Sequence, residues 1–353
     1  MKILITGVGG PTPRSFAHAL KSFSSKYSDV SLIATDSNPL AIGLYQPHLF
    51  EKSFVVPRAD AHHYWHVMEE IIRANDISLA VILPEFEILH WSKRAQTHPL
   101  PCKVFLPDLK LNELLMSKSA MTEVLKDLNL VPESIAFSRN ETDLKAVLQK
   151  LGANFWVRSS SGTSGLGSLQ VDSLQSLQNW IQINPGVTHF LASKYLPGRN
   201  LACKLLYWKG KLLRSACGER VNYIMAKVAP SGITGNTSFG RLLNEPHLVD
   251  LSVKAMDRLF EYTQAPRHGF FTVDFKEDEK GNPFITEINV RHVAFTQCFA
   301  AAGANFAEDT IGLLADDADF SFEYKMYEFE PGTIFLRDVD ERPIIMKEEA
   351  LLK

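Results

Sequence analysis

Ile3-Leu4-Ile5 forms a short, buried-type strand that breaks at Gly7-Val8-Gly9-Gly10, passes through a helix-forming stretch over residues 15–23, and returns as a second apolar strand over 30–35 ending at Asp36. Strand, helix and strand in that order bury their apolar sides only as a parallel sheet with helices on its faces, so the segment commits the chain to an α/β layer. A further strand over 79–83 runs into Pro84-Glu85-Phe86-Glu87. Those polar groups fall at the carboxyl edge of the sheet, where open α/β sheets bind ligands, although an ordinary strand-to-helix turn explains them equally well. The glycines invite a dinucleotide-binding reading. Thr12, however, stands where GxGxxG needs its last glycine, and Pro11 and Pro13 interrupt the expected helix start, so a nicotinamide oxidoreductase rests on a weak signal.

The second constraint lies near the C-terminal third. Phe271-Thr272-Val273-Asp274-Phe275, a charged turn through Gly281, and Phe284-Ile285-Thr286-Glu287-Ile288-Asn289-Val290-Arg291 read as a β-hairpin. Side chains of a strand share a face every second residue, so Asp274, Glu287, Asn289 and Arg291 can stand together. Three oxygen donors beside a guanidinium suit Mg²⁺, which keeps one or two protein carboxylates and takes its other ligands from water and phosphate. A solvated hairpin face is the alternative. The apolar flanks Val273, Phe275, Phe284, Ile285, Ile288 and Val290 favour the first reading, because polar groups embedded there are costly unless a ligand satisfies them.

Composition narrows the classes. A chain of 353 residues, 45% hydrophobic and 22% charged, is an ordinary globular protein with material for two or three lobes. Its net charge of −3 offers no basic surplus for nucleic acid or an anionic membrane. No apolar run approaches a signal peptide's core or a membrane span. The four cysteines lack a CxxC pair, which suggests reduced, cytoplasmic thiols. The 11 histidines show no HxxxH spacing, so a metal site at His62, His63 and His66 is not expected.

A strand, Phe155-Trp156-Val157-Arg158, enters Ser159-Ser160-Ser161-Gly162-Thr163-Ser164-Gly165-Leu166-Gly167-Ser168 and resumes over 169–171. Small residues let backbone amides and hydroxyls approach phosphate oxygens. No Gly-Lys-Ser/Thr closes the loop, so it is not a P-loop; a hairpin tip is the competing reading. Residues 246–262 read as an amphipathic scaffold helix.

From about residue 118 to 309 the chain resembles an ATP-grasp enzyme, similar to the large subunit of carbamoyl-phosphate synthase and to carboxylate-amine ligases, and residues before it resemble the Rossmann-like α/β domain that precedes that fold. The resemblance implies mixed α/β and α+β architecture: a Rossmann-like domain over 1–112, a small lid subdomain over 113–196, a large subdomain over 197–330, and a C-terminal strand and tail over 331–353. It implies that Lys118 and Arg158 contact nucleotide phosphate, that Ser159, Ser160, Ser161, Gly162, Thr163, Ser164 and Gly165 belong to the phosphate-covering loop, and that Lys194, Tyr195 and Leu196 form the adenine-reading hinge. Asp274, Glu287 and Asn289 match its Mg²⁺ ligands. Arg291 matches the arginine near the transferred phosphoryl group, and Arg220 falls in the acceptor region as a carboxylate or phosphate clamp, with an exposed loop arginine as the alternative. Departures are Arg158 for a lysine, Lys194 for an acidic residue, no acidic residue in Gly198-Arg199-Asn200, and Val290 for a proline.

The implied cofactors are ATP and Mg²⁺, with Mn²⁺ as the alternative ion; the partners are a small carboxylate and an amine, with a homodimer left open. The implied reaction activates the carboxylate as an acyl phosphate with release of ADP. A nucleotide-binding module without ligase chemistry is the runner-up.

Overall fold

The computed structural model describes residues 1–140, 144–161, 167–338, 344–347 and 349. The first layer comprises β1 (Lys2–Thr6), α1 (Pro11–Phe23), β2 (Ser31–Asp36), β3 (Lys52–Val55), α2 (Tyr64–Ala74), β4 (Leu79–Val81), α3 (Glu85–Thr97) and β5 (Lys103–Val104). Its strands form a parallel sheet in the order β3-β2-β1-β4-β5. Pro11 and Pro13 do not interrupt α1. Pro11 starts it, because a first-turn proline gives up an N–H that has no intrahelical partner and its fixed φ already suits the helix.

Two short helices follow, α4 (Leu109–Leu115) and α5 (Lys118–Leu125), capped by the side chains of Asp108 and Ser117. Next come β6 (Ser134–Ser138), α6 (Lys145–Leu151), β7 (Phe155–Ser159), β8 (Leu169–Val171), α7 (Leu174–Ile183) and β9 (His189–Lys194). Here the strands pair antiparallel in the order β6-β9-β7-β8, with Phe155, Val157, Phe190 and Trp180 in their own core.

The large sheet takes β10 (Asn200–Trp208), β11 (Lys211–Tyr223), β12 (Thr237–Leu243), then, after α8 (Pro246–Thr263), β13 (Gly269–Glu277) and β14 (Pro283–Asn289). After α9 (Thr296–Ala301) and α10 (Phe306–Leu314) it adds β15 (Lys325–Met326), β16 (Thr333–Leu336) and β17 (Ile344–Lys347). Strand order is β14-β13-β10-β11-β12-β16-β17, with β15 beside β11. Residues 214–223, whose arginine had a loop reading, thus continue β11.

Apolar packing joins the layers. Ile311 and Leu314 of α10 lie with Ile3, Ile5, Phe16 and Leu20, and Leu4, Ile33 and Ala80 belong to the same core as Phe271, Val273 and α8's Leu259. Among the described residues no helix is long and apolar enough to cross a membrane.

Candidate active site

The hairpin of β13 and β14 carries the site, and one irregularity sets its geometry. Asp274 pairs with Glu287, but Phe275 pairs with Ile285, so Thr286 is an extra residue opposite the partner strand. In a regular strand Ile285 and Glu287 would share a face. The bulge inverts the alternation, so Ile285 and Ile288 enter the core with Val273 and Phe275 while Glu287 and Asn289 join Asp274 on the other face. Thr286 is fastened by its hydroxyl to the Asp274 carbonyl at 3.2 Å, and its own carbonyl accepts from Arg158 Nη2 at 2.7 Å.

Each carboxylate meets a cation from another element. Lys118 Nζ lies 2.8 Å from Glu287 Oε1, and Arg220 Nη1 lies 3.1 Å from Asp274 Oδ1. Asn289 Nδ2 donates to Asp274 Oδ2 at 3.0 Å. Burial alone would raise the Glu287 carboxyl, but Lys118, Arg158 and Arg291 outweigh it and hold the group below the usual range. Asp274 ends higher than usual, because burial and the neighbouring Glu287 exceed the help from Arg220. Arg220 is fixed further by Thr237 Oγ1 at 3.0 Å and the Gly235 carbonyl at 2.7 Å, with Tyr223 and Phe295 against its guanidinium. Neither Lys118 nor Arg220 is the exposed surface side chain that the sequence also allowed.

These groups face a cleft of ≈ 1000 Å³ between the three sheets. Lys118, Arg158, Lys194, Arg220, Lys276 and Arg291 line it and outnumber the carboxylates of Glu85, Asp274 and Glu287. Ser159, Ser161, Tyr195, Leu196 and Asn289 line it as well. Ser160 is not among the lining residues. Its carbonyl accepts from the Lys118 amide at 2.9 Å and its hydroxyl meets that of Ser119 at 2.7 Å, so it ties β7 to α5 and seats Lys118. Gly162, Thr163, Ser164 and Gly165 lie outside the described residues. Lys194 is exposed beside Glu279 at 3.8 Å, and its amide donates to the Glu133 carbonyl. Arg291, just past β14, pairs not with the other hairpin groups but with Glu85, at 2.8 Å.

That pair brings in the N-terminal sheet. Glu85 opens α3, and the preceding Pro84 packs on Gly7, whose φ is +69° and where a Cβ would overlap the proline ring. Residues 7, 10–13 and 83–86 form one wall of the cleft. Sequence reasoning placed Glu85 at the sheet edge but gave no sign of its partner 206 positions away (291 − 85). It also passed over Lys204, buried under the site; its signal was a lysine inside the otherwise apolar run 201–208. Among the described residues no group of three or more His, Cys, Asp and Glu could hold a metal, which leaves the two-carboxylate, one-amide set as the candidate.

No protein-family model matches the chain, and no curated protein matches it in sequence. Solved structures do match in fold. An N5-carboxyaminoimidazole synthetase from Staphylococcus aureus, solved with ADP, superimposes with TM-score 0.69 at 14% identity over 95% of this chain and 81% of that one. The biotin carboxylase domain of Hydrogenobacter thermophilus 2-oxoglutarate carboxylase, solved with MgADP, ADP and bicarbonate, gives 0.70 at 15% identity, over 95% and 74%. An L-amino acid ligase from Bacillus licheniformis gives 0.65 at 15%, over 95% and 78%. With an N-terminal parallel α/β sheet, a small antiparallel sheet and a large one around a common cleft, the chain has the ATP-grasp fold.

Proposed function

We propose that the protein is an ATP-dependent carboxylate-amine ligase that works through an acyl phosphate and releases ADP and orthophosphate. The observation that carries this reading is the Asp274–Glu287 pair, set face to face by the bulge and ringed by Lys118, Arg158, Arg220 and Arg291 in a cleft large enough for a nucleotide and a second substrate. That structural neighbours were solved with ADP or MgADP supports a nucleotide as one ligand of this chain.

The donor set fits Mg²⁺. Asp274 and Glu287 supply two hard carboxylates, and because Asn289 gives its Nδ2 to Asp274, its amide oxygen is the atom left to meet a cation. When bound there, the ion would offset charge on the β- and γ-phosphates. The chain's own cations do the rest. Lys118 and Arg158 would hold phosphate oxygens, while Arg291, anchored by Glu85, approaches the phosphoryl group in transfer. Tyr195 and Leu196 would face the base, since the Lys194 amide is already engaged.

A substrate carboxylate oxygen, oriented by Arg220, attacks the γ-phosphorus as its bond to the bridging oxygen breaks and ADP departs. The amine then attacks the activated carbonyl carbon. The C–N bond forms, the C–O bond to phosphate breaks, and the amine's proton is lost. The walls of the cleft keep water from competing for the acyl phosphate.

Incubation with ATP, Mg²⁺ and pools of amino acids tests the reading. ADP and orthophosphate in equal amounts are expected. AMP and pyrophosphate would overturn the acyl phosphate, and ATP binding without release of either product would favour a nucleotide-binding module.

A further inference from the structure

Behind the donor face lies a second cavity of ≈ 10 Å³, about one water sphere, on the side of β14 that meets α4. Its polar lining is Glu85, Asn112, Lys118, Glu287 and Asn289, and the remaining walls are aliphatic or thioether. Asn112 is fully buried, and both its amide nitrogen and its amide oxygen lack a hydrogen-bond partner. Its backbone is satisfied, with the N–H on the Asp108 carbonyl and the C=O accepting from Met116. Only the side chain is left unpaired.

Burying an amide with both ends unpaired costs free energy that a leucine of similar size would not. We propose that this cavity is a site for one structural water, which bridges the Asn112 amide to the Lys118–Glu287 ion pair and makes Asn112 a positioning residue for the donor face. A water fits because it both donates and accepts, so it can serve the amide oxygen and nitrogen and reach Lys118 Nζ and a Glu287 oxygen. A metal cation does not fit, since a space of about one water sphere with aliphatic and thioether groups on its other walls cannot supply the several ligands a cation needs. Helix α4 thereby fixes the rotamer of Glu287 from behind, as groups outside the coordination sphere hold a ligand in orientation. The consequence for nucleotide binding rests on the proposed function; the water and its effect on the ion pair do not.

The test is a crystal structure of the protein without nucleotide or metal, compared with that of Asn112→Leu. A water within hydrogen-bond distance of the Asn112 amide and of Lys118 or Glu287, lost in the variant together with the 2.8 Å Lys118–Glu287 contact, is the expected result. A dry cavity, an Asn112 bonded to protein, or an ion pair unchanged in Asn112→Leu would overturn the proposal. Thermal melting gives an independent reading. A dry, unpaired amide predicts that Asn112→Leu melts higher than wild type, whereas the bridged amide predicts that it does not. Should that variant fail to fold, Asn112→Ser, which keeps a hydroxyl and enlarges the water site, takes its place and is expected to retain the bridging density. In MgADP titrations Asn112→Leu should weaken binding roughly tenfold, the lower end for loss of a partner behind a metal ligand; no nucleotide binding by wild type would instead count against the functional reading and leave the crystallographic result standing.

Discussion

Lys204 is a charged residue in a place built for an apolar one. It has no solvent exposure, donates to Thr296 Oγ1 at 3.3 Å, and its ammonium stands 4.8, 5.0 and 5.6 Å from the rings of Phe295, Phe299 and Phe270. Burial pulls its pKa down to about 7 against the partial support of Asp274 and Cys298, while Arg220 opposes the charge. His292, stacked on Phe270, is held well below its ordinary range by burial and then by Lys204 and Arg291. Between pH 7 and 10.5 the unfolded chain therefore holds a proton that the folded chain has shed, and stability rises with pH across that window. Lys204→Met should stabilise the protein by a few kcal/mol at or below about pH 7, since each tenfold loss of proton affinity on folding is worth about 1.4 kcal/mol. That advantage should shrink toward zero as pH approaches 10.5. Urea unfolding of both proteins at several pH values checks this; a difference independent of pH would refute it. The sequence held the cue, since a lysine in an apolar strand is either edge-exposed or buried, but only the ring packing decides which.

At the scale of elements, the hairpin's two strands and its donor face were readable from alternation, and its bulge was latent in the spacing of Ile285 and Ile288, three apart where a regular strand would place core residues two apart. Proline is where simple breaker logic failed: the same residue that ends a helix begins one, and Pro11 does the latter. Arg220 was hard to place because Gly218 before it and the glycines at 232 and 235 after it suggest a loop. Gly218 instead sits in β11 because the Arg241 carbonyl and Phe299 ring crowd it, leaving little room for a side chain. Gly240 on β12 is tighter still, since a Cβ would overlap the Phe335 ring of β16 and the Glu219 carbonyl of β11. Gly240→Ala should cost about 1–3 kcal/mol through overpacking, measured by chemical denaturation. An unchanged midpoint would mean that β12 and β16 do not pack as described.

For the whole molecule, the order of elements announced a parallel layer followed by other architecture, but not how the layers would close on one another. The cleft exists only where three sheets meet: Arg158 comes from the small sheet, Lys118 from the helix beside it, Asp274, Glu287 and Arg220 from the large sheet, and Glu85 from helix α3 at the edge of the parallel one. Such contacts span from 54 positions, for Arg220 with Asp274, to 206 (291 − 85), for Arg291 with Glu85, and no local pattern encodes them. Glu287 is the side chain on which most of them converge, with Lys118, Arg158 and Arg291 all acting on it. Glu287→Gln keeps its size and removes its charge, so ATP turnover, nucleotide products and melting of this variant, measured together, probe the metal-phosphate chemistry proposed for it. Wild type is expected to release ADP. A variant that still unfolds cooperatively is expected to turn over more slowly by about a hundredfold or more, because a metal's contribution amounts to several kcal/mol and about 1.4 kcal/mol is tenfold. Near-normal turnover by a folded Glu287→Gln protein would contradict the assignment of Glu287 to the metal.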